Sequence, residues 1–141
     1  MKKLLALLFV LMVTKVSIAQ NPVNWTTDQL LAPASLAQSI KNSKDVPVIL
    51  SIGPGAVIKN SIDIGSIKEQ ENLDSFKKQL TALPKDTSIV VYCGCCPFEH
   101  CPNVRPAIAA MKELKFTNYK LLNLEHNVKT DWLDKGYPSR Q

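Results

Sequence analysis

Cysteine is absent from this chain except in one loop, where Cys93, Cys95, Cys96 and Cys101 fall within nine residues. Scaffold disulfides normally join distant segments and close long loops. Four crowded thiols would constrain little of the unfolded chain, so stapling explains them poorly. Aromatic residues make up 6% of the sequence, and no basic stripe is interleaved with them, so nucleic acid is not an expected partner. No internal repeat, low-complexity tract or linker rich in Gly and Ser interrupts the chain. No apolar run long enough to cross a bilayer follows residue 13, which leaves no candidate for a spanning helix beyond the first residues.

What is present begins with the pattern of a leader. Lys2 and Lys3 precede an apolar run of ten residues over 4–13, half of the roughly 20 that a spanning helix needs. Ser17 and Ala19 place small residues where a signal peptidase reads them. Residues 1–19 are expected to be a signal peptide, and the mature protein to be exported, periplasmic or secreted, without stable membrane insertion. No cysteine follows the expected cleavage site as a lipid anchor would require. Net charge is +5, and loss of Lys2, Lys3 and Lys15 lowers it to +2, from 14 Lys and Arg against 12 Asp and Glu. The remaining 122 residues suffice for one domain with one core.

Residues 20–32 read as an irregular lead-in, with Trp25 docking it onto the core. Pro33 suits a first helical turn, and Leu36, Ala37 and Ile40 are spaced for one buried face. A buried strand is expected over 46–52, stopped by Gly53-Pro54-Gly55. Short apolar pairs flank a turn at 59–61. Leu73, Phe76 and Leu80 give helical spacing over 69–80. The run Ile89-Val90-Val91-Tyr92-Cys93 is short, apolar and β-branched, as a central parallel strand should be. Asn103 is expected to cap the next helix, with Pro106 at its third position and Ala107, Ala110, Met111 and Leu114 facing inward. A strand over 119–124 and a short helix over 130–135 carrying Trp132 and Leu133 complete the chain. Strands alternating with helices predict an α/β parallel sheet with helices on both faces. Sites in such sheets lie beyond the carboxyl ends of the strands, which is where Cys93 falls.

The segment 89–114, with Cys93 ending a strand and Arg105, Ala109-Ala110 and Leu114 on the helix after it, resembles the active-site segment of rhodanese-like domains. The tail is similar too: a strand Tyr119-Lys120-Leu121-Leu122-Asn123-Leu124, then Trp132 and Gly136-Tyr137-Pro138. Ile58-Lys59-Asn60-Ser61-Ile62 stands where the family carries an I-P-G-A-like turn. The resemblance makes residues 33–141 the domain. Nine residues separate Cys93 from Asn103 where family loops hold about five, and Ser51-Ile52-Gly53 and Glu125-His126-Asn127 replace other family motifs. The resemblance implies transfer of a sulfane sulfur through a cysteine persulfide, with a small sulfur-containing anion as donor and a thiol as acceptor.

On that reading Cys93 is the nucleophile, at the mouth of the sheet and aimed at the start of the next helix. A helix N-terminus lowers a thiol pKa. Arg105 is placed to hold a donor sulfonate, and Cys101, four residues before it, is the competing nucleophile. The amides of Gly94, Cys95 and Cys96 are expected to cradle the persulfide, with His100 beside them. Two other readings stay open. Cys93, Cys95, Cys96, His100 and Cys101 form a soft ligand set for Cu or Zn, whereas transfer chemistry needs no cofactor. Cys93-Gly94-Cys95-Cys96 is also a C-x-x-C of the thiol–disulfide type.

Overall fold

The computed structural model describes residues 25–141, so the expected signal peptide lies outside the described residues. Five parallel strands form one sheet: β1 (Leu30–Leu31), β2 (Val48–Ser51), β3 (Ile62–Asp63), β4 (Ile89–Tyr92) and β5 (Tyr119–Leu122). Their order is β1-β5-β4-β2-β3, which puts β4 in the middle with Ile89–Val91 paired to β5 and all four of its residues paired to β2. All carboxyl ends therefore lie along one edge.

Alternation along the strands builds two cores. Ile89 and Val91 of β4, Leu50 and Ile52 of the β2 segment, and Leu121 of β5 face α2 (Gln70–Thr81) and α3 (Val104–Glu113). Val90, Tyr92, Ile49 and Leu122 face α1 (Pro33–Asn42) and Trp132. Helices cover both faces, as the alternating pattern predicts. Cys93 continues the first set and points toward the α3 side.

The helices follow their apolar spacing. Leu36, Ala37 and Ile40 of α1 are buried, and Ser43 ends the helix in the left-handed region. Phe76 and Leu80 anchor α2. On α3, Val104 and Ile108 join the expected Ala107, Ala110 and Met111, while Leu114 is the half-buried residue after the last turn.

Several boundaries move. Leu30 and Leu31, expected in the lead-in, form an edge strand against Leu121 and Leu122. A two-residue strand has no period to read; β5 creates it by offering free ladder positions, and the Asn123 amide donates to the Leu31 carbonyl at 2.9 Å. Residues 62–63 likewise become a strand beside β2. Val46 stays exposed and β2 begins at Val48. The expected helix over 130–135 is a π-type turn at Lys129–Leu133, which buries Trp132 and leaves Leu133 outside at 41% exposure. Trp25 is buried and meets Tyr119 edge-on, docking the lead-in as expected.

Tyr92 ends β4 with a buried hydroxyl. It accepts from the amides of Val57 at 2.9 Å and Ile58 at 3.3 Å and pairs with Ser61 Oγ at 3.1 Å. Tyr92→Phe strands two amides, so it should lower unfolding free energy by about 1–3 kcal/mol, read from the denaturant midpoint. An unchanged midpoint would show that these amides find other partners.

Candidate active site

The site is built where β4 stops. Beyond Tyr92 the ladder ends, Cys93 leaves it, and residues 94–97 run without regular structure into a 3-10 turn at Phe98–His100. Phe98 and Cys96 pack on the α2–α3 core, which holds the loop down over the carboxyl edge. The longer loop is therefore a folded-back cover. Cys93 is 4% exposed and Cys101 1% exposed, while Cys95 is exposed and Cys96 half-buried.

The four sulfurs converge, all within 4.8 Å of one another. Cys93 Sγ lies 3.3 Å from Cys95 Sγ, and Cys95 Sγ lies 3.2 Å from Cys96 Sγ. One exposed sulfur thus borders the buried one. All four cysteines are free thiols. The His100 imidazole is exposed on the 3-10 turn and is not among the converging ligand atoms. Arg105 stands exposed at the second position of α3 and makes no hydrogen bond or ion pair within the described residues.

Asn103 takes a role different from the one its position predicts. Its side chain does not cap α3. The side chain is 1% exposed, and its Oδ1 accepts from Ser66 Oγ at 3.0 Å and from the Lys68 amide at 2.9 Å. Two donors on the oxygen determine which way the amide faces. Nδ2 therefore donates to Cys93 Sγ, at 3.4 Å. The start of α3 reaches the sulfur through this side chain.

The Cys93 thiol is pulled down from 9.0 to about 5. The largest cause is a hydrogen bond from the Cys101 thiol, opposed by burial and assisted by the Cys95 amide, the Asn103 side chain and the Cys95 thiol. Cys101 is pushed up, first because it gives its hydrogen to Cys93 and then by burial. Cys95 is pushed up to about 12, by the loss of water from the side of its sulfur that meets the cluster, although the residue is exposed, and by its bonds to Cys96 and Cys93. Of these three thiols Cys93 gives up its proton first, while Cys95 and Cys101 stay protonated beside it. Of the three expected cradle amides, that of Cys95 helps to lower the Cys93 thiol.

Two glycines shape the cradle. A Cβ on Gly53 would stand 2.6 Å from Cys93 Sγ, so the end of β2 can pass behind the sulfur only without a side chain. The sequence marks Gly53 merely as a strand stop beside Pro54, and a single sequence carries no signal of this closer role. Gly94 is pressed against Val128, where a Cβ would come within 2.8 Å of Cγ1, and its carbonyl accepts the Val128 amide at 2.9 Å. Gly53→Ala should push Cys93 off its donors and lower stability by about 1–3 kcal/mol, with a larger fall in thiol reactivity than in folding. Thiol alkylation beside a thermal melt checks it; full reactivity would mean the backbone yields instead.

No family model and no curated protein matches the sequence. Solved structures do match the architecture. A Bacillus halodurans protein aligns at 20% identity and TM-score 0.57, over 78% of this chain and 74% of its own. The rhodanese-like domain of an Anabaena protein aligns at 14% identity and TM-score 0.57, over 79% and 78%. The single-domain sulfurtransferase of Saccharomyces cerevisiae aligns at 14% identity and TM-score 0.54, over 79% and 95%. The fold is rhodanese-like. In this rhodanese-like fold, the all-parallel five-stranded sheet holds Cys93 at the end of its central strand, and the cysteine-rich loop covers that position.

Proposed function

We propose that this protein is an exported sulfurtransferase of the rhodanese type, with Cys93 as nucleophile. The observation that carries the reading is a buried sulfur at the carboxyl edge of a parallel sheet, with Asn103 Nδ2 donating to it at 3.4 Å and Cys95 Sγ at 3.3 Å, an environment that draws the thiol down to about 5. Such donors stabilise an anionic sulfur whether it belongs to a thiolate or to a persulfide. Cys93 attacks the outer sulfur of a donor such as thiosulfate. A sulfur–sulfur bond forms to Cys93, the bond to the sulfonate sulfur breaks, and sulfite leaves with its electron pair. A thiol or cyanide then takes the outer sulfur and returns the thiolate. Arg105, free on the first turn of α3, holds the donor sulfonate, and Gly94, Cys95, Cys96 and His100 border its approach. Cys101 acts as hydrogen donor to Cys93 in this scheme.

Adding thiosulfate to the reduced protein should release one sulfite per chain. Absence of sulfite at any thiosulfate concentration would end this reading.

The convergence of four sulfurs favours one alternative, a soft metal site of Cys93, Cys95, Cys96 and Cys101. Zinc–thiolate bonds of about 2.3 Å set tetrahedral sulfurs roughly 3.8 Å apart, inside the spread seen here. Cu(I) suits the same donors. Elemental analysis after purification without affinity metals tests it. Stoichiometric Cu or Zn, lost in a Cys95→Ser, Cys96→Ser double variant, supports the metal module; metal-free protein removes it.

A further inference from the structure

In the sulfurtransferase reading Cys95 only donates to Cys93 and forms no bond to sulfur itself. Its sulfur touches that of Cys93 at 3.3 Å, yet it is exposed where Cys93 is 4% exposed. A bulky acceptor meets Cys95 before it meets Cys93. Contact with the inner sulfur matters for the direction of chemistry. Displacement at sulfur runs in line, with the leaving sulfur opposite the attacker. A thiol resting against Cys93 Sγ is placed to strike that atom and expel the outer sulfur of a persulfide. Only Gly94 separates the two residues; its carbonyl is tied to the Val128 amide, and residues 94–97 belong to no helix or strand.

We propose, building on the sulfurtransferase reading, that Cys95 resolves the Cys93 persulfide and makes the protein a dithiol-dependent, sulfide-releasing reductase of sulfane sulfur. Cys95 attacks the inner sulfur of the persulfide anion. The Cys93–Cys95 bond forms, the bond to the outer sulfur breaks, and that sulfur leaves as hydrosulfide carrying the Cys95 proton. The sulfane sulfur is the oxidant, so no other is needed. A dithiol reductant then attacks the exposed sulfur of Cys95. Cys93 leaves as thiolate, into the donors of Asn103 and Cys101. The reductant's second thiol then attacks its own sulfur in the mixed disulfide, the bond to Cys95 breaks and the reductant's disulfide closes; one of its hydrogens goes to Cys95 and the other to solvent. Cys101 cannot take the part of Cys95, because at 1% exposure a disulfide between it and Cys93 would lie out of a reductant's reach.

The test uses the full chain, reduced, freed of reductant, and given one equivalent of thiosulfate. Wild type should release one sulfite and one hydrosulfide per chain, lose two hydrogens in intact mass, and map a disulfide to Cys93 and Cys95. Cys95→Ser keeps a hydroxyl at an exposed position. It should still release sulfite at completion but retain one added sulfur on Cys93, with sulfide at least tenfold lower; Cys95→Ala should behave alike. A stable persulfide in wild type, sulfide release from Cys95→Ser at the wild-type level, or a disulfide mapping to Cys96 or Cys101 overturns the proposal. Absence of sulfite from wild type and variants alike overturns the sulfurtransferase reading beneath it.

Discussion

Cys93→Ser should abolish the proposed sulfite release from thiosulfate, a loss of at least about a thousandfold, to the uncatalysed background. The hydroxyl has nearly the shape of the thiol, and Asn103 Nδ2 can still donate to it, so the fold should survive. What disappears is the nucleophile. A serine hydroxyl has no ionised form at neutral pH, and the bonds from Cys101, Cys95 and Asn103 that lower a thiol to about 5 cannot bring an alcohol into range. Cys101→Ser should fall far less, because its hydroxyl can still donate toward the reacting sulfur and that sulfur stays in place. If Cys101→Ser is dead and Cys93→Ser turns over, the roles of the two buried cysteines are reversed. Sulfite release followed over time on the two variants decides between them.

The second large effect concerns Asn103. In Asn103→Asp the oxygen facing Ser66 and Lys68 is kept, while the donor facing Cys93 becomes an anionic oxygen. A hydrogen bond to a charged group is worth about 1.5–3 kcal/mol, and one pKa unit is about 1.4 kcal/mol. Loss of the bond and the added charge act in the same direction, so the Cys93 pKa should rise by about two units or more. Wild-type alkylation of Cys93 by iodoacetamide should be level through neutral pH and fall as the pH drops through 5. The variant should inflect near neutrality or above. An inflection unchanged from wild type would show that Asn103 does not act on the sulfur.

The same shift has a folding consequence with a definite sign. The folded thiol titrates at about 5, below the ordinary 9.0. Deprotonation is therefore easier in the folded state. Its contribution to stability is complete above the ordinary thiol pKa and is lost as the pH falls toward and through 5.

The order of elements was legible because burial leaves periodicity behind. Ile89-Val90-Val91-Tyr92 reads as a strand buried on both faces, and Val104 to Met111 carries a helical stripe, whatever partners they have. Leu30-Leu31 and Ile62-Asp63 left no such mark, being strands only through their neighbours in the sheet. Resemblance of the tail to rhodanese-like domains survived in Trp132, Gly136, Tyr137 and Pro138, where a buried indole and a tight chain reversal demand particular residues. Trp132 Nε1 donates to the Pro138 carbonyl at 3.0 Å, and its ring meets Tyr137 edge-on, so the motif closes on itself.

From the linear order alone follow the alternating architecture, the carboxyl-edge position of Cys93 and the crowding of four thiols, since each is a matter of spacing along one segment. Which thiol carries the charge is a different kind of fact. It depends on Asn103 turning its amide, on Cys101 folding back beside Cys93, and on Gly53 leaving room behind the sulfur. These contacts come from segments up to 40 residues apart, Gly53 to Cys93. A hydrogen bond or a steric gap exists only once the chain has closed on itself, and for that reason only the folded molecule selects among four chemically identical side chains.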